Sequence, residues 1–443
     1  MKQNMTSKEI IVLGFMLFAI FFGAGNMIFP PLLGQLSGTN VWIAISGFLL
    51  TGVGLPLLGI IAIAKSGGDL QHLASRVHPS FGLIFSIIMY LTIGPFFGIP
   101  RTGTVSYEIG IKPFLSDDIQ ALGFPLIVFS AIYFSLTAWI ALNPTKIVDR
   151  IGKLLTPILL VVISFLVLKA FATPMGSLPE PNEEYKTVPF FTGFLEGYYT
   201  MDTIASLVFG IVLISAIQDK YNLSRDKLAL ACIKAGVIAA IGLAFVYVSL
   251  SFMGASSVET IGYFDNGGLI LAGISKSLYG PLGTVILGTA ITFACLTTSI
   301  GLVAACSKYF SRIFKIPYAA LVIILSCFSF IISNVGLTQL ISFSIPVLLM
   351  IYPPAIILIV LSFFHPYFNG STFVYRITLL LTSVVSILDG LSQSKLQQAS
   401  SIKVLLASLP FYNIGIGWVL PAITGIIVGF LLQRIEVKKN LIK

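Results

Sequence analysis

The feature that most limits what this chain can fold into is a succession of apolar runs, each long enough to cross a bilayer. A spanning helix needs roughly 20 predominantly apolar residues, and such runs recur along the whole chain. Length and hydropathy predict about twelve spans, at about 9–35, 41–64, 81–107, 122–142, 152–172, 192–217, 228–254, 281–307, 317–337, 342–364, 374–392 and 411–433. An amphipathic stretch near 267–279 is expected on the outer surface before the eighth. The pattern is that of an all-α integral membrane protein, read as one polytopic domain over 1–443. Only 10% of the 443 residues are charged, 56% are hydrophobic, and the mean hydropathy is +0.99. That is too little charge to cover the surface of a soluble protein. The first run lacks a small-residue cleavage pattern, so it reads as a retained helix and not a signal peptide.

A net charge of +9 raises the question of a nucleic-acid partner. The basic residues fall in loops between apolar runs, where the positive-inside rule accounts for them, so no nucleic acid is implied. Lys65, Arg76, Lys146, Arg150, Lys153, Lys220, Arg225, Lys227, Lys308, Arg312 and Lys315 occupy alternate loops. The tail carries Arg434, Lys438, Lys439 and Lys443. Both termini are therefore expected on the cytoplasmic side, with an even number of spans, and the acidic loop "PEPNEEYKT" outside. Cys232, Cys295, Cys306 and Cys327 contain no CxxC pair and read as small packing residues. The three His have no zinc-like spacing. Paired catalytic His, a metal-ligand cluster and a nucleophile elbow are all missing from the sequence, which argues against an enzyme.

Two segments contradict the rule that a membrane helix should be continuous. Segment 1 contains "FFGAGNMIFPP", residues 21–31, and segment 6 contains "EGYYTMD", residues 196–202. Each unpaired backbone group in lipid costs several kcal/mol. Irregular backbone is therefore tolerated only against protein or a polar cavity. Gly23 and Gly25 tolerate φ > 0 and let a ligand approach the backbone, or they let helices pack closely. Pro30 and Pro31 remove two donors. Freed N–H groups at the start of a second half-helix suit a carboxylate. Freed carbonyls at the end of the first suit a small cation. A zwitterion with Na⁺ satisfies both. Five spans separate the two breaks, and two tandem five-span units must have opposite topology because five is odd. That is the arrangement of inverted-repeat transporters, here over 9–172 and 192–364 with two further helices over 374–433.

Ionisable groups at membrane depth are functional candidates. Asp202 lies deep in segment 6, whereas Glu196 is either functional or solvated at the outer interface. Tyr198, Tyr199 and Thr200 stand between them, and an interfacial aromatic belt explains Tyr198 better than Tyr199. Segment 8 contains "ACLTTSIG", residues 294–301. Its hydroxyls either bond back to the preceding turn or lend neutral oxygens to Na⁺. In segment 3, "GPFFGIP" is either a kinked packing helix or an apolar side-chain pocket. Arg101 and Glu108 follow and read as a solvated pair near the outer surface, or as a gate. A channel or cation exchanger without an organic substrate would also use Asp202 and the Thr pair, but would not need a Tyr- and Gly-rich double break.

"FFGAGNMIFPPLLGQLSG" and "GPFFGIPRTGTVSYEIG" resemble the bacterial branched-chain amino acid carrier family. The resemblance covers essentially the whole chain. It implies a bacterial cell-membrane importer of leucine, isoleucine and valine coupled to a cation, usually Na⁺ and alternatively H⁺, with no organic cofactor. More distantly, "GAGN-MIFP", "YYTMD" and "ACLTTSIG" look like the broken first helix, broken sixth helix and eighth-helix sodium site of the sodium symporters. Those proteins have the five-plus-five inverted-repeat leucine-transporter fold. Carried over, that match implies that Ala24 and Gly25 offer N–H groups to the substrate carboxylate. It implies that the Ala19, Phe22 and Ala294 carbonyls and the Thr297 and Thr298 hydroxyls meet one Na⁺. Asn26, Tyr199 and Thr200 would face substrate or ion. Asp202, where that family has a small hydroxyl residue, would bind the ammonium, join the ion site or carry a proton. The Arg that follows the first-helix break in the sodium symporters is absent from this chain.

Overall fold

The structure, a computed structural model, describes residues 5–66, 69–143, 160–173, 175–218, 221, 223–394 and 399–442. The predicted loop charges Lys146, Arg150, Lys153 and Lys220, the terminal Lys443 and positions 152–159 of the fifth segment lie outside these residues. Every described element is an α-, 3-10 or π-helix. Among the described residues, seven helices are long and apolar enough to cross a membrane. These are Ala24–Ser66, Pro79–Phe114, Phe124–Leu142, Lys227–Ile261, Gly267–Phe314, Leu337–Phe368 and Thr372–Ser392. Leu160–Ala172, Tyr318–Ser333 and Val419–Ile435 are shorter apolar helices. Large apolar side chains point outward all along the bundle, among them Val12, Trp139, Leu168, Ile241, Leu282 and Ile331. In water such a surface would drive aggregation; facing acyl chains it is satisfied. The chain is a multi-pass membrane protein.

The first segment opens with a reciprocal cap, in which Thr6 and Glu9 satisfy each other's backbone N–H groups. It then splits into Ser7–Phe21 and Ala24–Ser37, and the sixth segment into Pro189–Glu196 and Asp202–Gln218. Segment 3 is broken as well. Pro79–Leu91 runs into a π-turn, Gly94 leaves helical geometry at φ −84° and ψ −120° before Pro95, and a new helix spans Gly98–Gly110. The two Phe of "GPFFGIP" do not form an expected pocket as a pair. Phe96 is exposed and meets Phe328 edge-on, while Phe97 is half-buried.

The 267–279 stretch is set off from the eighth segment by a bend and is largely buried on one face. It is the first part of a Gly267–Phe314 helix that bends at Gly280, φ +66°, before Pro281. Gly267, Gly268, Ile270, Leu271 and Ile274 are buried. A Cβ on Gly267 would collide with the Ile28 carbonyl, so the stretch lies directly against Ala24–Ser37. The acidic loop also closes over that helix. Asn182 N–H donates to the Leu36 carbonyl at 3.0 Å, Thr39 N–H to the Pro179 carbonyl at 3.0 Å, and Asn40 Nδ2 to the Tyr185 carbonyl at 2.8 Å.

Lipid tails are as apolar as leucine, so helices in a bilayer associate through close packing rather than the hydrophobic effect. Here glycine supplies that closeness. A Cβ on Gly34 would strike the Ser251 carbonyl oxygen, and one on Gly254 the Pro31 carbonyl oxygen. Ala24–Ser37 thereby lies backbone to backbone on the Arg225–Ile261 helix. Gly47 and Gly193 do the same for Val41–Leu49 and Pro189–Glu196, against the carbonyls of Phe190 and Ala44. Gly34→Leu should therefore abolish the monodisperse peak of solubilised protein in size-exclusion chromatography. Gly54→Ala, whose new Cβ would stand 3.6 Å from Leu50 Cδ1, should leave the peak unchanged.

Candidate functional site

The first break begins with one displaced hydrogen bond. In a continuous helix the Gly23 N–H would reach back to the Ala19 carbonyl. Here it donates to Asn26 Oδ1 at 2.7 Å, with Phe22 and Gly23 extended. The Ala19 carbonyl loses that helical partner, and the Phe22 carbonyl falls past the helix end. The helix that restarts at Ala24 leaves its first N–H groups, including those of Ala24 and Gly25, without intrahelical acceptors. The expected left-handed glycines do not occur at this break, since neither Gly23 nor Gly25 has positive φ. Gly25 is needed for proximity instead. A Cβ there would lie 3.0 Å from the Thr200 carbonyl oxygen and 3.2 Å from Thr200 Cα. The two breaks meet at this point.

The sixth-segment break is a 3-10 turn over Gly197–Thr200 followed by Met201 at φ +65°. Thr200 stitches its two halves. Its hydroxyl donates to the Gly197 carbonyl at 2.9 Å and accepts from the Asp202 N–H at 3.3 Å. Tyr198 is fully buried and stacks on Tyr352 with ring centroids 4.3 Å apart, so it belongs to the core and not to an interfacial belt. Tyr199 is half-buried beside Phe29, with centroids 5.8 Å apart. Glu196 closes the first half-helix and is half-buried.

A polar knot ties the breaks together. Asn26 Nδ2 donates to Asp202 Oδ2 at 2.8 Å and also to the Tyr247 hydroxyl, which donates to the same Asp202 oxygen at 2.6 Å. All three side chains are buried. A carboxylate at this depth is tolerable only because neutral donors converge on it. Tyr247, in the middle of the Arg225–Ile261 helix, was not marked by any sequence signal beyond being a hydroxyl in an apolar run.

Arg101 is the largest departure from expectation. It is not a solvated partner of Glu108, being 1% exposed. Glu108 pairs with Lys112 at 2.8 Å instead. Because segment 3 is broken, the Gly98–Gly110 helix carries Arg101 inward. Its Nη1 donates to the Tyr199 carbonyl at 2.5 Å and its Nη2 to the Ser344 hydroxyl at 3.2 Å. The signal available in sequence was an arginine directly after a Gly- and Pro-rich stretch inside an apolar run.

Thr297 and Thr298 both donate to the Ala294 carbonyl, at 2.8 and 3.1 Å. This is the back-bonding that hydroxyls in helices favour, and it leaves their lone pairs unused in these bonds. Thr298 is the nearer to the first break, with its Cγ2 placed 3.4 Å from where a Cβ on Gly23 would stand.

Discontinuous helices meeting around buried polar groups define a membrane transporter of the leucine-transporter-like fold. Among the solved structures that share that fold are the following two. One is Mhp1, a nucleobase-cation-symport-1 family transporter, closed with bromovinylhydantoin bound, at TM-score 0.61 and 13% identity, covering 97% of this chain and 93% of that one. The other is MhsT in complex with L-phenylalanine, at TM-score 0.52 and 16% identity, covering 98% of this chain and 99% of that one. Residues 6–436 match the family model described as branched-chain amino acid transport protein, and the chain belongs to that family. It is 54% identical over 433 residues to the branched-chain amino acid permease BraB of Bacillus subtilis (strain 168), covering 98% of this chain and 97% of that protein. The chain is thus a transporter and not an enzyme.

The knot should behave as one unit. Tyr247→Phe and Asp202→Asn should each lower the melting temperature in detergent, by about 1–3 kcal/mol of stability. The double variant should lose clearly less than the sum, because both changes act on the same Tyr247–Asp202 bond. Strictly additive losses would show that the three side chains do not act together.

Proposed function

We propose that this chain imports branched-chain amino acids into bacterial cells by cation symport, with one Na⁺ per substrate. The observation that carries the reading is the meeting of the two breaks, Gly25 against Thr200 and Asn26 bonded to Asp202. An α-amino acid needs one pole for its carboxylate and another for its ammonium, and that junction offers both. The N–H groups of Ala24 and Gly25 face the carboxylate. Asp202, the Thr200 carbonyl and Asn26 lie toward the ammonium, whereas the Tyr199 carbonyl accepts from Arg101. The ion site consists of the Ala19, Phe22 and Ala294 carbonyls with the Thr297 and Thr298 hydroxyls. The Ala19 carbonyl at the break and the neutral oxygens of the two Thr suit a small, weakly polarising cation. Family membership supports leucine, isoleucine and valine as substrates. An apolar pocket discriminates by only about 1–3 kcal/mol per methylene, so the three should compete.

In this reading about twelve spans cross the cell membrane with both termini cytoplasmic, as five-plus-five inverted repeats over 9–172 and 192–364 and two further helices over 374–433. H⁺ coupling is the second reading, favoured by one observation. Asp202 is a buried carboxylate at the break itself, held by Asn26 and Tyr247.

Proteoliposomes separate the two. Labelled leucine should accumulate under an imposed Na⁺ gradient, and unlabelled valine should block it. Accumulation under an H⁺ gradient alone would transfer the coupling role to Asp202. Thr298→Ala should raise the Na⁺ concentration for half-maximal uptake while protein abundance stays constant. An equal loss of folded protein would assign Thr298 to packing. Normal Na⁺-dependent uptake by Asp202→Asn would remove Asp202 from the mechanism.

A further inference from the structure

Arg101 is a buried cation whose partners are neutral. Its guanidinium reaches the Tyr199 carbonyl and the Ser344 hydroxyl, and one face covers the Phe29 ring at 5.1 Å. Its Nε is buried without a hydrogen-bond partner. Among the described residues no carboxylate is in ion-pair contact with it: Glu108 is bound to Lys112, and Asp202, which acts on Arg101 through space, turns Oδ2 toward Asn26 and Tyr247. A buried charge without a contacting counter-ion is costly. A neutral side chain of similar length would serve better if the position were a strut between helices. A gate, in turn, would pair with an acid across the pathway.

Position supplies the missing anion. A Cβ on Gly25 would lie 3.4 Å from Arg101 Nη1, so the guanidinium stands at the open end of the Ala24–Ser37 helix, beside its unpaired N–H groups. A helix start carries only about half a positive charge. A guanidinium adds a full charge and a planar fork that matches a carboxylate. Asp202 reaches the same junction from the other break. An entering zwitterion therefore meets both a cation and an anion at this junction.

We infer that Arg101 is a substrate-binding residue that anchors the carboxylate of the transported amino acid, together with the N–H groups of Ala24 and Gly25. The inference rests on the amino-acid transport reading above. It adds the third segment to the two broken helices that meet at the junction.

The test compares L-leucine with L-leucinamide, whose neutral amide replaces the carboxylate, by calorimetric titration of the full chain in lipid nanodiscs. The wild-type protein should bind leucine far more tightly. Arg101→Gln should weaken leucine by about thirtyfold or more and leucinamide little, collapsing the ratio between them. Arg101→Lys, which keeps the charge but loses the fork, should fall between. The inference is overturned by an Arg101→Gln protein that keeps the wild-type ratio. It is equally overturned by wild-type protein that binds leucinamide as tightly as leucine, an outcome that needs no variant to fold. Loss of the transport reading has a different signature, namely wild-type protein that binds neither leucine nor valine, and it removes this inference with it.

Discussion

The structure depends on one buried hydrogen-bonded triad, Asn26 with Asp202 and Tyr247. Breaking a helix inside a bilayer exposes backbone groups that lipid cannot satisfy. Breaking two at the same depth multiplies the problem unless each break serves the other. Asn26 does this with a single side chain. Its carbonyl oxygen takes the Gly23 N–H that leaves the first helix, and its amide nitrogen holds the carboxylate that starts the second part of the sixth segment. Tyr247 adds a third strand from the seventh segment. Three segments distant in sequence are thereby registered at one level of the bundle.

Around that triad the polar groups divide by sign. Arg101 and the first N–H groups of Ala24–Ser37 supply positive groups, Asp202 a negative one, and the Tyr199 carbonyl is taken by Arg101. The Thr297–Thr298 pair approaches from the remaining direction, next to Gly23. Little of this polarity reaches the outside of the bundle, where Trp139 and Leu168 are exposed. In a low-dielectric interior, fixed dipoles and charges act over longer distances than they would in water. A small number of groups can therefore orient a ligand as small as an amino acid.

Much of this was legible in the chain because membranes restrict the alternatives. Apolar run length located the helices, and Gly25, Asn26, Thr200 and Asp202 stood out as polar or small residues where lipid forbids them. What stayed hidden depended on direction rather than depth. Arg101 looked solvated because a straight third segment would carry it toward the surface. The break at Gly94 and Pro95 redirects the following helix, and no spacing rule gives that angle. Tyr247 was one of 16 tyrosines, and only the packing of Arg225–Ile261 on Ala24–Ser37 aims it at Asp202. Tyr198 failed as a belt residue because the 3-10 turn points it at Tyr352.

The glycine contacts set how such a molecule can rearrange. Where Gly34 and Gly254 bring two backbones together, or Gly47 and Gly193, no side chain lies between them to change rotamer. Rotation or sliding at such a seam drives carbonyl oxygen into main chain, a clash with no soft direction. Each seam welds two helices into one rigid body. One body joins Ala24–Ser37 to Arg225–Ile261, and the other joins Val41–Leu49 to Pro189–Glu196. Each joins two helices that lie far apart in the sequence. These backbone seams leave rearrangement of the bundle to its side-chain contacts and its helix breaks.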